Sequence, residues 1–99
     1  MKLKDIAHAR SGDKGEDANI GVIAYDETGY QMLVDKLTEE KVKSYFAPLG
    51  LENVRRFLLP NLQAVNFVLE GIFPGGASMQ LQIDGQGKAL GQAILEMKL

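Results

Sequence analysis

Asn19-Ile20-Gly21-Val22-Ile23-Ala24-Tyr25 is apolar on both faces after its first residue. With a side-chain period of two, this is the pattern of a central strand covered on both sides. Upstream, Leu3–Arg10 predicts a second strand, with Ala7 and Ala9 on one face and Ile6, His8 and Arg10 on the other. Ser11-Gly12-Asp13-Lys14-Gly15 has turn chemistry, and Glu16-Asp17 extends it into a loop between the two strands. Downstream the period changes. Tyr30, Leu33, Val34 and Leu37 recur at helical spacing, and Thr38 reads as the N-cap of a second helix with Glu39 and Glu40 in its first turn. Val42, Tyr45 and Phe46 form that helix's stripe, which Pro48 and Gly50 end.

A third strand is expected over Val54–Leu59, stopped by Pro60, with Arg55 and Arg56 as charges at a strand edge. Leu62–Leu69 is apolar nearly all round, which reads as a buried helix with a strand as the alternative. After a loop from Gly71 to Gly76, Met79, Leu81 and Ile83 alternate with Gln80 and Gln82 as a half-buried strand does. Leu90, Ala93, Ile94 and Met97 predict a last amphipathic helix. The expected fold class is α+β: a two-layer sandwich in which a four-stranded mixed sheet carries helices on one face. If Asn19–Tyr25 and Val54–Leu59 are parallel neighbours, the helical crossover between them is right-handed.

The chain has 99 residues, one ordinary domain spanning 1–99, with 45% hydrophobic and 24% charged residues. It has no cysteine, which excludes disulfides, thiolate metal sites and cysteine nucleophiles, and points to the cytoplasm. The longest charge-free stretches, Phe57–Leu69 and Gly71–Ile83, are 13 residues each, short of the roughly 20 apolar residues of a membrane helix. No apolar segment follows the basic start as a secretion signal would. Net charge is −2, so neither nucleic acid nor an anionic membrane is an expected partner. The distribution is uneven. Up to Gly15 four cations face two anions, and the remainder carries a net −4.

That basic start overlaps the segment richest in chemistry, His8 to Gly21. Glycines let successive backbone N–H groups face inward as an anion nest, and Arg10 and Lys14 would add charge-assisted bonds to a phosphate or carboxylate. Arg10, Ser11, Gly12, Asp13, Lys14, Gly15 and Asn19 are therefore candidate ligand-binding residues. Asn61 and Asn66 join them, because amides in apolar surroundings need partners that loop backbone or ligand can supply. His8, the single histidine, is a candidate general acid–base with Asp13 or Asp17 as partner. The bland reading is a strand histidine hydrogen-bonded to backbone. No metal is expected: Asp13, Asp17 and Asn19 suggest oxygen ligands, but Ala18 and Ala24 stand where a calcium loop needs glycine and a bidentate glutamate. Neither a P-loop nor a Gly-x-Gly-x-x-Gly spacing is present, and no cofactor is expected.

Several of these segments together resemble the C-terminal domain of the acyclic terpene utilisation (AtuA) family. They are Ala9-Arg10-Ser11-Gly12-Asp13-Lys14-Gly15, Ala18 to Ile23, Leu59-Pro60-Asn61-Leu62, Ala64 to Leu69, Gly75-Gly76 and Gln86 to Gly91. Glu16 and Asp17 stand where relatives commonly carry Asp and Ser or Thr. The resemblance implies a ferredoxin-like fold, and a larger companion domain in a setting of branched or terpenoid acyl-CoA breakdown. The leading expectation is a small subunit or accessory domain that binds an anionic, phosphate- or CoA-bearing ligand and docks on a larger AtuA-type subunit or forms a homo-oligomer. The alternatives are a small hydratase-, lyase- or isomerase-like enzyme using His8, and a purely structural or oligomerisation domain.

Overall fold

In the computed structural model, which describes residues 1–72 and 86–99, a single sheet carries the chain. Its strands are β1 (Ala7–Lys14), β2 (Asp17–Ala24), β3 (Asn53–Leu59) and β4 (Ala64–Glu70), in the order β1-β2-β4-β3. Every neighbouring pair is antiparallel. Among the described residues three α-helices accompany them: α1 (Glu27–Lys36), α2 (Glu39–Phe46) and α3 (Gln86–Leu95). The α+β class and the central place of Asn19–Tyr25 stand. The expected mixed sheet is an antiparallel one across its described strands, because the apolar run after Leu62 is strand β4 rather than a helix.

That strand explains the crossover as well. β2 and β3 run in the same direction, but β4 lies between them, so they are not neighbours. Val65, Phe67 and Leu69 of β4 point toward the helices and are fully buried, while Asn66 and Val68 point the other way. On β2 the even residues Ala18, Ile20, Val22 and Ala24 share the buried face. The core closes over them with Tyr30, Leu33, Leu37, Val42, Phe46, Leu90 and Ile94 from the helices, and contains no buried polar residue among those described. The central strand is thus covered on one side only among the described residues; its odd residues face outward.

Ser11 to Lys14 belong to β1, and the loop between β1 and β2 shrinks to Gly15-Glu16. Gly15 has φ +63°, the positive value that a two-residue II′ hairpin turn requires at its first position. Thr38 caps α2 as expected, its Oγ1 accepting from the Lys41 N–H at 3.1 Å. Asp26 does the same for α1 through the Gly29 N–H at 2.7 Å. Tyr45 leaves the α2 stripe: it is partly exposed and donates its hydroxyl to the Ala93 carbonyl at 2.7 Å. The strand expected at Met79–Ile83 lies outside the described residues.

Helix α3 lies close on β1. The Gly91 N–H donates to Ser11 Oγ at 2.8 Å, and a Cβ built on Gly91 would stand 3.0 Å from that oxygen and 3.2 Å from the Ser11 nitrogen. Alanine gains about 1 kcal/mol over glycine in an ordinary helix. Here the strand backbone cannot recede, so Gly91→Ala is expected to destabilise by about 1–2 kcal/mol, read as a lower urea midpoint at unchanged slope. A variant as stable as the parent would show that the contact has slack.

The two ends of the chain meet. Lys2 and Lys98 form an antiparallel bridge, flanked by Leu3 N–H to Met97 O at 2.8 Å and Leu99 N–H to Met1 O at 3.0 Å. Above it Glu96 accepts from Lys2 Nζ at 2.7 Å and Lys4 Nζ at 3.2 Å. The hydrogen bond and charge of Glu96 hold the Lys2 ammonium above its usual range, and the two lysines hold the Glu96 carboxyl below its own.

Candidate functional site

The sheet face turned away from the helices is where register gathers polar side chains. Successive pairings set three rows across the strands. They are Arg10–Gly21–Asn66–Phe57, Gly12–Asn19–Val68–Arg55 and His8–Ile23–Ala64–Leu59. Neighbouring strands lie about 4.8 Å apart, so each row spans roughly 14 Å. In the first row Gly21 has no side chain to fill the space between Arg10 and Asn66. A Cβ there would come within 3.8 Å of Asn66 Oδ1, so glycine leaves a shallow floor beside that amide.

The edges of this floor are chemically distinct. Arg10, Asn19 and Asn66 spend none of their side-chain donors on another described residue, and Arg10 and Asn19 are exposed. The His8 ring stacks on Tyr25 with centroids 5.6 Å apart and planes at 24°. Across the sheet the Arg55 guanidinium sits 5.3 Å from the centroid of the Phe57 ring, a cation–π contact, and 3.9 Å from Glu70 Oε2. At the Asn19–Val68 pairing, in the middle of the second row, a cleft of about 440 Å³ is lined by Asp17, Ala18, Asn19 and Val68. Asp17 Oδ1 holds the Gly71 N–H there at 2.9 Å. A cation and two amides without a partner among the described residues, a bare glycine and flanking rings can receive a flat or anionic group by hydrogen bonds and stacking.

Of the residues singled out in the sequence, Arg10, Gly12, Asn19 and Asn66 come together on this face, with His8 one row away. Ser11 turns to the other side, bonded to α3. Asp13 follows the same parity as Ser11, opposite Ala18. His8 and Asp13 therefore stand on opposite faces of β1 and about 17 Å apart along it, so they do not form a proton-transfer pair within one chain. Lys14 ends β1 opposite Asp17. Gly15 lies in the hairpin turn, and Asn61 sits exposed in the 3-10 turn Pro60–Leu62 at the far end of the sheet. Ser11 to Lys14 run extended in β1, so their successive N–H groups point to opposite sides instead of converging as in an anion nest, and charge and amides characterise the site.

Gly21, Tyr25, Arg55 and Phe57 were not among the expected site residues. Their signal is the two-residue period of Arg55, Phe57 and Leu59, which becomes a shared face with Asn66 only when Leu62–Leu69 is read as a strand. Among the described residues no cluster of His, Asp and Glu is arranged as a metal site, and no helix is long and apolar enough to cross a membrane.

A family model described as the AtuA ferredoxin-like domain matches residues 1–99. No curated protein and no solved structure matches the chain.

Proposed function

The chain belongs to the AtuA ferredoxin-like domain family, and from that premise we propose that it is an accessory domain with two tasks. Its open sheet face receives a small anionic ligand, phosphate- or CoA-bearing, and the domain docks on a larger AtuA-type subunit or on a copy of itself. The observation that carries the ligand reading is the row Arg10–Gly21–Asn66, in which a cation and an amide face each other across a floor without side chains. Arg10 would hold the charged group, Asn66 and Asn19 would orient its neighbouring polar atoms, and the His8–Tyr25 stack offers a planar surface beside them. The acyl-CoA setting implied by the family resemblance supplies ligands of that kind.

Thermal shift with phosphate, nucleotides, CoA and short acyl-CoA esters tests this. A ligand present at 100 times its dissociation constant adds about 2.7 kcal/mol, a rise of roughly 10–20 °C for a domain of this size. Arg10→Ala should weaken that ligand by about 10–150-fold, the worth of a charged hydrogen bond. No stabilisation by any of the panel overturns the ligand reading. Stabilisation that survives Arg10→Ala places the anion elsewhere.

A further inference from the structure

Among the described strands β3 lies at the sheet edge, and its second half breaks the habit of edge strands. Edges are commonly blunted by charge or by cover. Here Phe57, Leu58 and Leu59 follow one another without a charge, and are 41%, 43% and 39% exposed. The Arg56 N–H leaves the sheet and donates to Glu39 Oε2 at 2.8 Å, which fixes the parity of the edge. In an antiparallel ladder the backbone of alternate residues points the same way, so the N–H and C=O of Leu58 also face outward. Beside them runs a groove of about 570 Å³ lined by Thr38, Glu39, Glu40, Arg56 and Leu58.

We infer that this edge pairs with the same edge of a second copy, antiparallel, about a two-fold axis through Leu58. The register follows from three constraints. Outward-facing residues must pair with each other, so Leu58 meets Leu58 and the two exchange both backbone bonds. Phe57 then meets Leu59 of the second copy, and the reverse, which makes the apolar contact self-complementary as a two-fold interface demands. Arg56 falls opposite Pro60, where the Arg56 N–H is already taken by Glu39 and proline has none to give, so pairing stops there.

Charge and the Glu39 contact select this register over its neighbours. Centring on Leu58 keeps the two Arg56 residues about 14 Å apart and the two Arg55 residues about 20 Å apart. A two-residue slip, with the axis through Phe57, would pair Leu58 with an Arg56 whose N–H Glu39 already holds, and a four-residue slip to an axis through Arg56 would set those guanidinium groups directly against each other, which is unfavourable. The inference rests on the self-association part of the proposed function and is independent of the ligand part. A failed ligand panel leaves it standing; its own failure leaves the ligand face and docking on a larger subunit intact.

The absence of cysteine allows a direct test. A hydrogen-bonded antiparallel pair holds its Cα atoms about 5.5 Å apart, within disulfide range. Under mild oxidation Leu58→Cys is expected to give a disulfide-linked dimer at least tenfold faster than Arg55→Cys, which the register keeps out of reach. Sedimentation of the unmodified chain should show a concentration-dependent dimer of the 10.8 kDa protomer, and Leu58→Arg should weaken it by tenfold or more. A chain that stays monomeric up to about 1 mM overturns the inference. So does a dimer unaffected by Leu58→Arg, or equal cross-linking at positions 55 and 58.

Discussion

Phe67→Ala should lower the unfolding free energy by about 3–5 kcal/mol, the range for deleting a fully buried aromatic ring. Phe67 is fully buried on the helix-facing side of β4, between Ile20 on β2 and Arg56 on β3. Removing the ring opens a cavity where the helices sit on the sheet. A domain of this size has only about 5–15 kcal/mol in hand, so the variant should melt at least 12 °C lower. Val68→Ala, one residue on and facing outward, should lose under about 1 kcal/mol. Denaturant titration of the pair reads the alternation directly. Comparable losses at both positions would contradict the strand assignment of this segment.

Arg56→Met is expected to cost about 2–3 kcal/mol, a melting point lower by roughly 10–20 °C. The Arg56 Nη1 donates to the Val34 carbonyl at 3.0 Å and to the Leu37 carbonyl at 2.9 Å. These groups lie at the C-terminal end of α1, where carbonyls have no partner within the helix and a cation is favoured. Methionine keeps the stem and removes both bonds. Arg56→Lys should recover part of the loss, since one ammonium cannot reproduce the planar fork. Arg55→Met, next door on the exposed face, should change stability by less than about 0.5 kcal/mol, because its ion pair is long and solvated. Equal losses at both arginines would show that Arg56 acts only as surface charge.

The contrast between these two arginines shows what the sequence could and could not reveal. Both sit on a strand that ends at Pro60, and both read as edge charges. The partners of Arg56 are carbonyls 19 and 22 positions away, joined to it only after α1 and α2 have folded back over the sheet. Local signals fared better where cause and effect are neighbours: the Thr38 cap, the alternation of Ala7 and Ala9 with His8 and Arg10, and the stop at Pro60. They misled where one residue type serves two ends. Gly12 and Asp13 look like a turn, yet Gly15 makes the turn and the others continue the strand. Leu62–Leu69 gave no alternation because both faces of β4 carry apolar residues, with Asn66 as the lone exception before Glu70. Arg10, Asn19 and Asn66 were legible as candidates one by one. What joins them is the register of three strands, which no single segment encodes.

The bridge between Lys2 and Lys98 fixes how anything tethered to this domain would approach it. Its two partners run in opposite directions, so Met1 and Leu99 emerge on the same side of the protein. A neighbour attached through either terminus arrives at one shared corner, next to the Lys2–Glu96 contact, and two neighbours would compete for it. Tension applied between the termini would also meet the bridge end-on, parting its hydrogen bonds one after another like a zip before any load reached the sheet.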